Sequence, residues 1–255
     1  VNFIGIIPAR YASTRFPGKP LAQLGGMPVI ERVYRQVSGH VDHLVVATDD
    51  ERIAEAVRQF GGNVVMTSPN HRSGTDRCQE ALEKTVEQLQ QEFQVVVNIQ
   101  GDEPFIQPEQ IEALKRCFDD PTTDIATLVK PFRPEDGFAA LQNPNSPKVV
   151  VSNDGQALYF SRSIVPYIRG VEPSDEWLRR HTFYKHIGMY AYTAKALRAV
   201  TQLPQSSLEL AESLEQLRWL QNGYKIKVGV TETETIGIDT PQDLERAEQF
   251  LKQQG

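Results

Sequence analysis

Phe3-Ile4-Gly5-Ile6-Ile7 runs directly into Pro8-Ala9-Arg10-Tyr11-Ala12-Ser13-Thr14-Arg15-Phe16-Pro17-Gly18-Lys19. The first five residues read as a short buried strand. The loop after them gathers three cations, two hydroxyls and a glycine. In an open α/β sheet, ligands bind beyond the carboxyl ends of the strands. A cationic loop there is suited to the phosphates of a nucleotide. Ser13, Thr14 and backbone amides can bind phosphate oxygens. Arg10, Arg15 and Lys19 supply charge, and Gly18 lets the backbone come close. The spacing is neither the GxxxxGK[ST] loop nor the GxGxxG fingerprint. By chemistry alone the loop is therefore an anion seat of unspecified type, with a solvated basic loop as the plain alternative.

Outward from this stretch, short β-branched runs alternate with amphipathic ones. Phe3–Ile7, Leu44–Ala47, Val64–Met66 and Val95–Ile99 are strand-like, and Pro28–Val37, Glu51–Phe60 and Asp76–Gln91 are helix-like. Such alternation predicts a mostly parallel sheet with helices on both faces. The second half changes character. Ile125–Val129, Lys148–Val151, Ala157–Phe160 and His186–Tyr192 are strand-like, with turn chemistry at 143–147 and 153–155, which predicts an antiparallel extension. Helices are expected over Leu208–Gln221 and Pro241–Lys252, flanking a strand at Lys225–Thr231.

The chain has 255 residues, 40% of them hydrophobic, enough for one large domain with a sizeable core. A formal net charge of -6 argues against a general nucleic-acid surface, so a polyanion must be met locally. Cys78 and Cys117 read as reduced thiols. No apolar run approaches the ~20 residues that span a bilayer. The expectation is a cytoplasmic protein without a membrane segment.

Two carboxylates answer the basic loop. Asp102 in Gln100-Gly101-Asp102-Glu103-Pro104 follows the strand ending at Ile99 and is placed to hold Mg²⁺, although a turn or capping acid has the same local pattern. Asp239 precedes Thr240-Pro241-Gln242-Asp243, where a hydroxyl cap, a proline and an acid open a helix without needing Asp239. His71-Arg72-Ser73-Gly74-Thr75 reads either as a base or ribose contact or as an ordinary helix cap. His186 and Tyr190 share one side of a strand. On the predicted helix over 208–221, Leu210, Leu214 and Leu217 form the buried side. Glu209, Glu212 and Gln216 lie opposite and Glu215 on a third side; a solvated acidic face and a polyol contact are both open.

The ordered set of motifs resembles the cytidylyltransferases that activate 3-deoxy-D-manno-octulosonate (Kdo). The residues that carry it are Pro8–Lys19, Gln100–Pro104, Tyr159-Phe160-Ser161-Arg162, His186-Ile187-Gly188, Leu214-Glu215-Gln216-Leu217-Arg218 and Asp239-Thr240-Pro241. The likeness runs essentially end to end. It implies a Rossmann-like nucleotide-diphospho-sugar transferase fold with a CTP-binding half over 1–130. A sugar-acid-binding and dimerisation insertion would span 131–222, and 223–255 would return to the core. It also implies transfer of CMP from CTP to Kdo with release of pyrophosphate, Mg²⁺ dependence, a place in lipopolysaccharide biosynthesis and a homodimer. Under this resemblance Arg10, Ser13, Thr14, Arg15 and Lys19 hold the triphosphate, and His71, Arg72, Ser73, Gly74 and Thr75 contact cytosine and ribose. Gln100 and Gly101 lie against CTP. Asp102 and Asp239 bind Mg²⁺. Gln100, Arg162, His186, Tyr190 and part of the set Glu209, Glu212, Glu215 and Gln216 hold the sugar acid. Arg15, Lys19, Asp102 and Asp239 are the expected catalytic residues. Rival readings are a cytidylyltransferase for another acidic sugar and a nucleotide-sensing module.

Overall fold

The computed structural model describes residues 1–234 and 236–254. In chain order the strands are β1 (Phe3–Ala9), β2 (Gln23–Leu24), β3 (Met27–Pro28), β4 (His43–Thr48), β5 (Val64–Met66), β6 (Val95–Asn98), β7 (Ile125–Pro131), β8 (Lys148–Val151), β9 (Ala157–Ser161), β10 (Tyr184–Thr193) and β11 (Ile226–Val230). The helices are α1 (Val29–Val37), α2 (Glu51–Gln59), α3 (Gly74–Leu89), α4 (Pro108–Arg116), α5 (Gly137–Gln142), α6 (Glu176–Arg180), α7 (Ala194–Val200), α8 (Ser207–Glu212), α9 (Gln216–Gln221) and α10 (Pro241–Gln254). This is the α/β class expected from the sequence, with mainly parallel strands and one antiparallel part. The chain forms two compact units, Val1–Glu112 with Thr235–Gly255, and Ala113–Glu234. Among the described residues no helix is long and apolar enough to cross a membrane.

In the first unit β1 runs parallel between β4 and β6, with Ile6 opposite Val45 and Ile4 opposite Val96, and β5 lies outside β4. The apolar run of β1 shows no alternation because both faces are covered; Ile4, Ile6 and Ile7 are fully buried. Each such side chain contributes ~2 kcal/mol by burial. Helix α1 buries Val29, Ile30, Val33 and Val37, the 3–4 spacing of one helix face. Helix α10 closes the unit. Ala247 packs with Leu24, Val29, Phe105 and Ile238, and Phe105 meets Phe250 edge-on at 4.9 Å. The last helix thereby returns the segment around Asp239 to the neighbourhood of β1.

In the second unit β7 pairs in parallel with β11 and antiparallel with β10. The β8–β9 hairpin places Val149 opposite Phe160. The register of β10 against β7 shifts between Ile187 and Tyr190. His186 lies opposite Val129 and Tyr190 opposite Thr127, two positions apart on β7, so both stay on one face.

The single helix expected over 208–221 is a correction. It is two short helices, α8 and α9, broken at Ser213, which is left-handed at φ 51° and ψ 49°. Arg162 holds the break: its Nε donates to the Glu212 carbonyl at 2.6 Å and its Nη2 to the Ser213 carbonyl at 3.3 Å. These carbonyls end α8 without a helical partner. The predicted faces therefore shift. Leu214 and Leu217 are buried, but Leu210 is 61% exposed and Glu209 is buried.

Candidate active site

The loop after β1 is built to keep its shape. Gly18 has φ +72°, and a Cβ there would meet the Tyr11 ring at 3.0 Å, so both backbone and space require glycine. Its N–H donates to the Tyr11 carbonyl at 2.8 Å, closing the loop. The Arg52 guanidinium stacks 3.3 Å from the centre of the Tyr11 ring and donates to both Asp50 carboxylate oxygens, at 2.9 and 2.6 Å. The Ser13 hydroxyl accepts from the Phe16 N–H at 3.4 Å. Lys19 begins a short 3₁₀ turn, Lys19–Leu21, which fixes its backbone. Arg10, Thr14 and Arg15 are exposed on the same loop.

A second loop follows β6. A Cβ on Gly101 would lie 2.9 Å from the Pro8 carbonyl, so only glycine lets this loop close on the first. The Ile238 N–H donates to the Asp102 carbonyl at 2.8 Å, which brings the 238–239 segment alongside. At the start of α10 the Asp243 carboxylate accepts from the Asp239 and Thr240 N–H groups at 3.1 and 2.8 Å, and the Thr240 hydroxyl accepts from the Asp243 N–H at 3.2 Å. The cap is complete without the Asp239 side chain, as the sequence implied. Lys19 Nζ bridges the two carboxylates, 2.7 Å from Asp102 Oδ2 and 3.3 Å from Asp239 Oδ1. Arg15 Nη2 lies 3.2 Å from the same Asp239 oxygen.

These groups line one cavity of about 460 Å³, a size suited to a small-molecule ligand. Arg10, Ser13, Thr14, Arg15, Lys19, Ser73, Gly74, Gln100, Gly101, Asp102 and Asp239 from the sequence reading all reach it. Ser73 is also the cap of α3, its hydroxyl accepting from the Asp76 N–H at 3.1 Å. His71, Arg72 and Thr75 are not among the lining residues. The His71 ring is hydrogen-bonded to Glu80. Burial pushes the Glu80 carboxyl up, but bonds from Lys84, the Ser68 N–H and His71 outweigh it and hold its pKa at about 2.

Arg77 is the lining residue that sequence reasoning missed. It is fully buried, donating to Thr67 Oγ1 at 2.5 Å and facing Asp49 at 3.2 Å, and it ties the ends of β4 and β5 to α3. A cation among the inward-facing positions Thr75, Cys78, Ala81 and Leu82 was the available signal.

The other expected ligand residues lie in the second unit. His186 Nε2 is 3.0 Å from Thr127 Oγ1, and the ring lies between Phe160 and Tyr190. The Thr127 hydroxyl proton goes to the Met189 carbonyl at 2.8 Å, so Nε2–H is the donor toward Thr127. Burial lowers the His186 pKa to about 4 and keeps the ring neutral. Burial, with the Glu215 charge, raises the Tyr190 hydroxyl well above its usual value.

Glu209 forms a reciprocal cap with Ser206 and faces Arg218 at 3.3 Å, while Glu215 accepts from Arg218 at 2.7 Å. Glu212 accepts from the Ser161 hydroxyl and the Arg162 N–H at 2.7 and 2.8 Å. Arg162 itself donates to three backbone carbonyls, those of Glu212, Pro144 and Ser213, leaving two of its five N–H groups. Gln216 differs from its acidic neighbours: its Nε2 is buried without a hydrogen-bond partner. A buried amide donor left open costs stability unless a ligand meets it.

A metal in the first unit would have to rely on a pair of carboxylates, since no cluster of three or more His, Cys, Asp or Glu residues occurs among the described residues. The pair suits Mg²⁺. Both donors are hard oxygen, Mg²⁺ takes one or two carboxylates and completes its shell with phosphates and water, and a cation, the Lys19 ammonium, already bridges them.

Comparison with known proteins adds to this geometry. The cytidylyltransferase family model matches residues 4–226. A 3-deoxy-manno-octulosonate cytidylyltransferase of Phocaeicola vulgatus is 69% identical over 253 residues, covering 99% of this chain and 98% of that protein. The mitochondrial 3-deoxy-manno-octulosonate cytidylyltransferase of Arabidopsis thaliana is 44% identical, covering 98% of this chain and 83% of that protein. The solved structure of a CMP:2-keto-3-deoxy-manno-octonic acid synthetase complexed with CTP superposes with a TM-score of 0.88 at 40% identity, over 100% of both chains.

Proposed function

The chain belongs to the cytidylyltransferase family, and from that membership we propose that it transfers CMP from CTP to the anomeric hydroxyl of Kdo. Pyrophosphate leaves and CMP-Kdo forms. The observation that carries this reading is the cavity at the end of β1, where Arg15 and Lys19 meet a carboxylate pair and Arg10 lines the same wall.

Charge is the main obstacle to the reaction. At ~4 Å two like charges repel by about 1 kcal/mol in water and about 4 kcal/mol at the effective dielectric near a protein surface. CTP and the Kdo carboxylate both carry negative charge. Arg10, Arg15 and Lys19 offset it, and Ser13, Thr14 and loop amides fix the phosphates. The Kdo hydroxyl oxygen bonds to the α-phosphorus as the bond from that phosphorus to the α–β bridging oxygen breaks; the hydroxyl proton passes to solvent, and pyrophosphate leaves with its charge held by Arg15 and Lys19. Asp102 and Asp239 would hold Mg²⁺, which when bound supplies Lewis-acid polarisation of phosphate oxygens and eases deprotonation of the hydroxyl.

Arg162, His186, Tyr190 and Gln216 are assigned to the sugar acid. Gln216 leads the group Glu209, Glu212, Glu215 and Gln216, because its buried amide donor is open and the three glutamates are already engaged. The neutral His186 ring serves as a hydrogen-bonding group and not as a charge. Buried cysteine side chains at Cys78 and Cys117, outside any disulfide, support a reducing, cytoplasmic setting. Exposed Leu158 and Val230 on the second unit support coverage by a second copy in a homodimer. The product would serve lipopolysaccharide biosynthesis.

Kdo carrying ¹⁸O at its anomeric hydroxyl tests the route. Direct attack places the label in the bridge between sugar and phosphorus. Label lost to water, or pyrophosphate released without sugar, contradicts the proposal.

A further inference from the structure

The two carboxylates that would take the metal are already neutralised by the protein. Lys19 Nζ sits 2.7 Å from Asp102 and 3.3 Å from Asp239, and Arg15 adds a second cation 3.2 Å from Asp239. Two negative charges are thus met by two positive ones. The two cations differ. The Arg15 side chain is 67% exposed, where solvent screening weakens its hold, whereas that of Lys19 is 14% exposed. Lys19 is the stronger counterion, and it occupies the space between the carboxylates that a bridging cation would fill.

We propose that Lys19 is an exchangeable internal counterion: it holds the Asp102–Asp239 pair in the absence of nucleotide and moves to the triphosphate when CTP binds, opening the pair to metal. This rests on the reading of the pair as the Mg²⁺ site. The geometry allows the exchange. The Lys19 backbone is fixed by the 3₁₀ turn and by the Ala22 N–H, which donates to its carbonyl at 3.1 Å. Only the four-carbon stem has to swing, and a lysine ammonium is a compact charge on a flexible stem. Ser13, Thr14 and Arg15, the phosphate-binding candidates, line the same cavity as Lys19 and both carboxylates. A nucleotide with several negative charges competes for the ammonium better than two carboxylates do. The consequence is an order of events. Free divalent metal binds the empty enzyme weakly, because it must displace a cation already in place. Nucleotide and metal then reinforce each other, and linkage makes the coupling reciprocal.

The test is binding of Mn²⁺, a Mg²⁺ substitute visible by electron paramagnetic resonance, to the nucleotide-free protein. Lys19→Met should bind Mn²⁺ at least tenfold more tightly than the unmodified protein, although it turns over poorly. Lys19→Gln should show the same direction. Combining Lys19→Met with Asp102→Asn should remove the gain, which assigns it to this pair, and thermal melting verifies that each variant is folded. Equal, tight Mn²⁺ binding by both the unmodified protein and Lys19→Met overturns the exchange and leaves the metal pair standing. Binding by neither, with or without CTP, overturns the exchange together with the metal pair. A gain that survives Asp102→Asn places the metal elsewhere and also overturns it.

Discussion

Lowering the pH should weaken the second unit through His186, and the structure sets the size of the effect. Burial depresses the pKa of this imidazole from 6.5 to about 4. The unfolded chain therefore takes up a proton near its ordinary value, while the native ring resists until about 4. Between these points the unfolded state binds more protons, so stability falls as pH falls. The contribution is complete above pH ~6.5, is lost progressively toward pH ~4 and is flat below. At about 1.36 kcal/mol per pH unit, the window amounts to at most ~3.4 kcal/mol. The groups facing the ring, Thr127, Phe160 and Tyr190, stay uncharged throughout, since the Tyr190 hydroxyl is shifted upward.

The assay is urea unfolding followed by tryptophan fluorescence at pH values from 7.5 to 4. Trp177 and Trp219 are both buried in the second unit and report on it. His186→Gln keeps a hydrogen-bond donor for Thr127 and removes the titration. The variant should lose less stability than the unmodified protein across the window, by ~2–3 kcal/mol. Parallel curves for the two proteins would show that His186 does not carry the pH dependence.

Four further outcomes follow from the same geometry. Asp102→Ala and Asp239→Ala should each lower kcat at least ~100-fold, ~2.7 kcal/mol of transition-state stabilisation, with a smaller change in CTP affinity; steady-state kinetics with calorimetry checks this, and undiminished kcat removes the residue from the metal pair. Gln216→Ala should raise the KM for Kdo while leaving that for CTP unchanged, read from initial rates with each substrate varied. Arg77→Met leaves Asp49 without its partner in a largely buried site and should cost ~3 kcal/mol of stability, seen as a lower urea midpoint, with Asp49→Asn partly restoring it. Arg52→Ala removes the guanidinium over Tyr11 and should raise the KM for CTP several-fold, whereas Arg52→Lys should recover only part of it, because an ammonium cannot stack as a plane.

The first unit was legible because its signals are local. The apolar run Phe3–Ile7, the capping pattern Thr240-Pro241-Gln242-Asp243 and the helix faces of α1 and α2 each follow from periodicity within a few residues. The cavity residues Arg15, Lys19, Asp102 and Asp239 were legible as types, and the fold supplied what spacing could not: Gly101 closing on Pro8, and α10 carrying Asp239 back beside Asp102. Arg77 was missed because its value depends on Thr67 and Asp49, ten and twenty-eight residues away. The break between α8 and α9 was missed for a related reason. Neither glycine nor proline marks Ser213; the left-handed turn is held by Arg162, some fifty residues earlier in the chain. Helix α4 has a readable start signal of its own, Pro108 at its first position, in a stretch whose neighbouring strands carry the stronger pattern.

Pyrophosphate release is the decisive assay for CMP transfer to Kdo. The purified protein with CTP and Mg²⁺ is assayed without sugar, with Kdo, with 8-amino-Kdo and with a sialic acid. Release should depend on Kdo, with CMP-Kdo formed in equal amount. Release driven only by another sugar acid would contradict the assignment of Arg162, His186, Tyr190 and Gln216. No release with any sugar, in a protein that binds CTP, would contradict catalysis itself and leave a nucleotide-binding module.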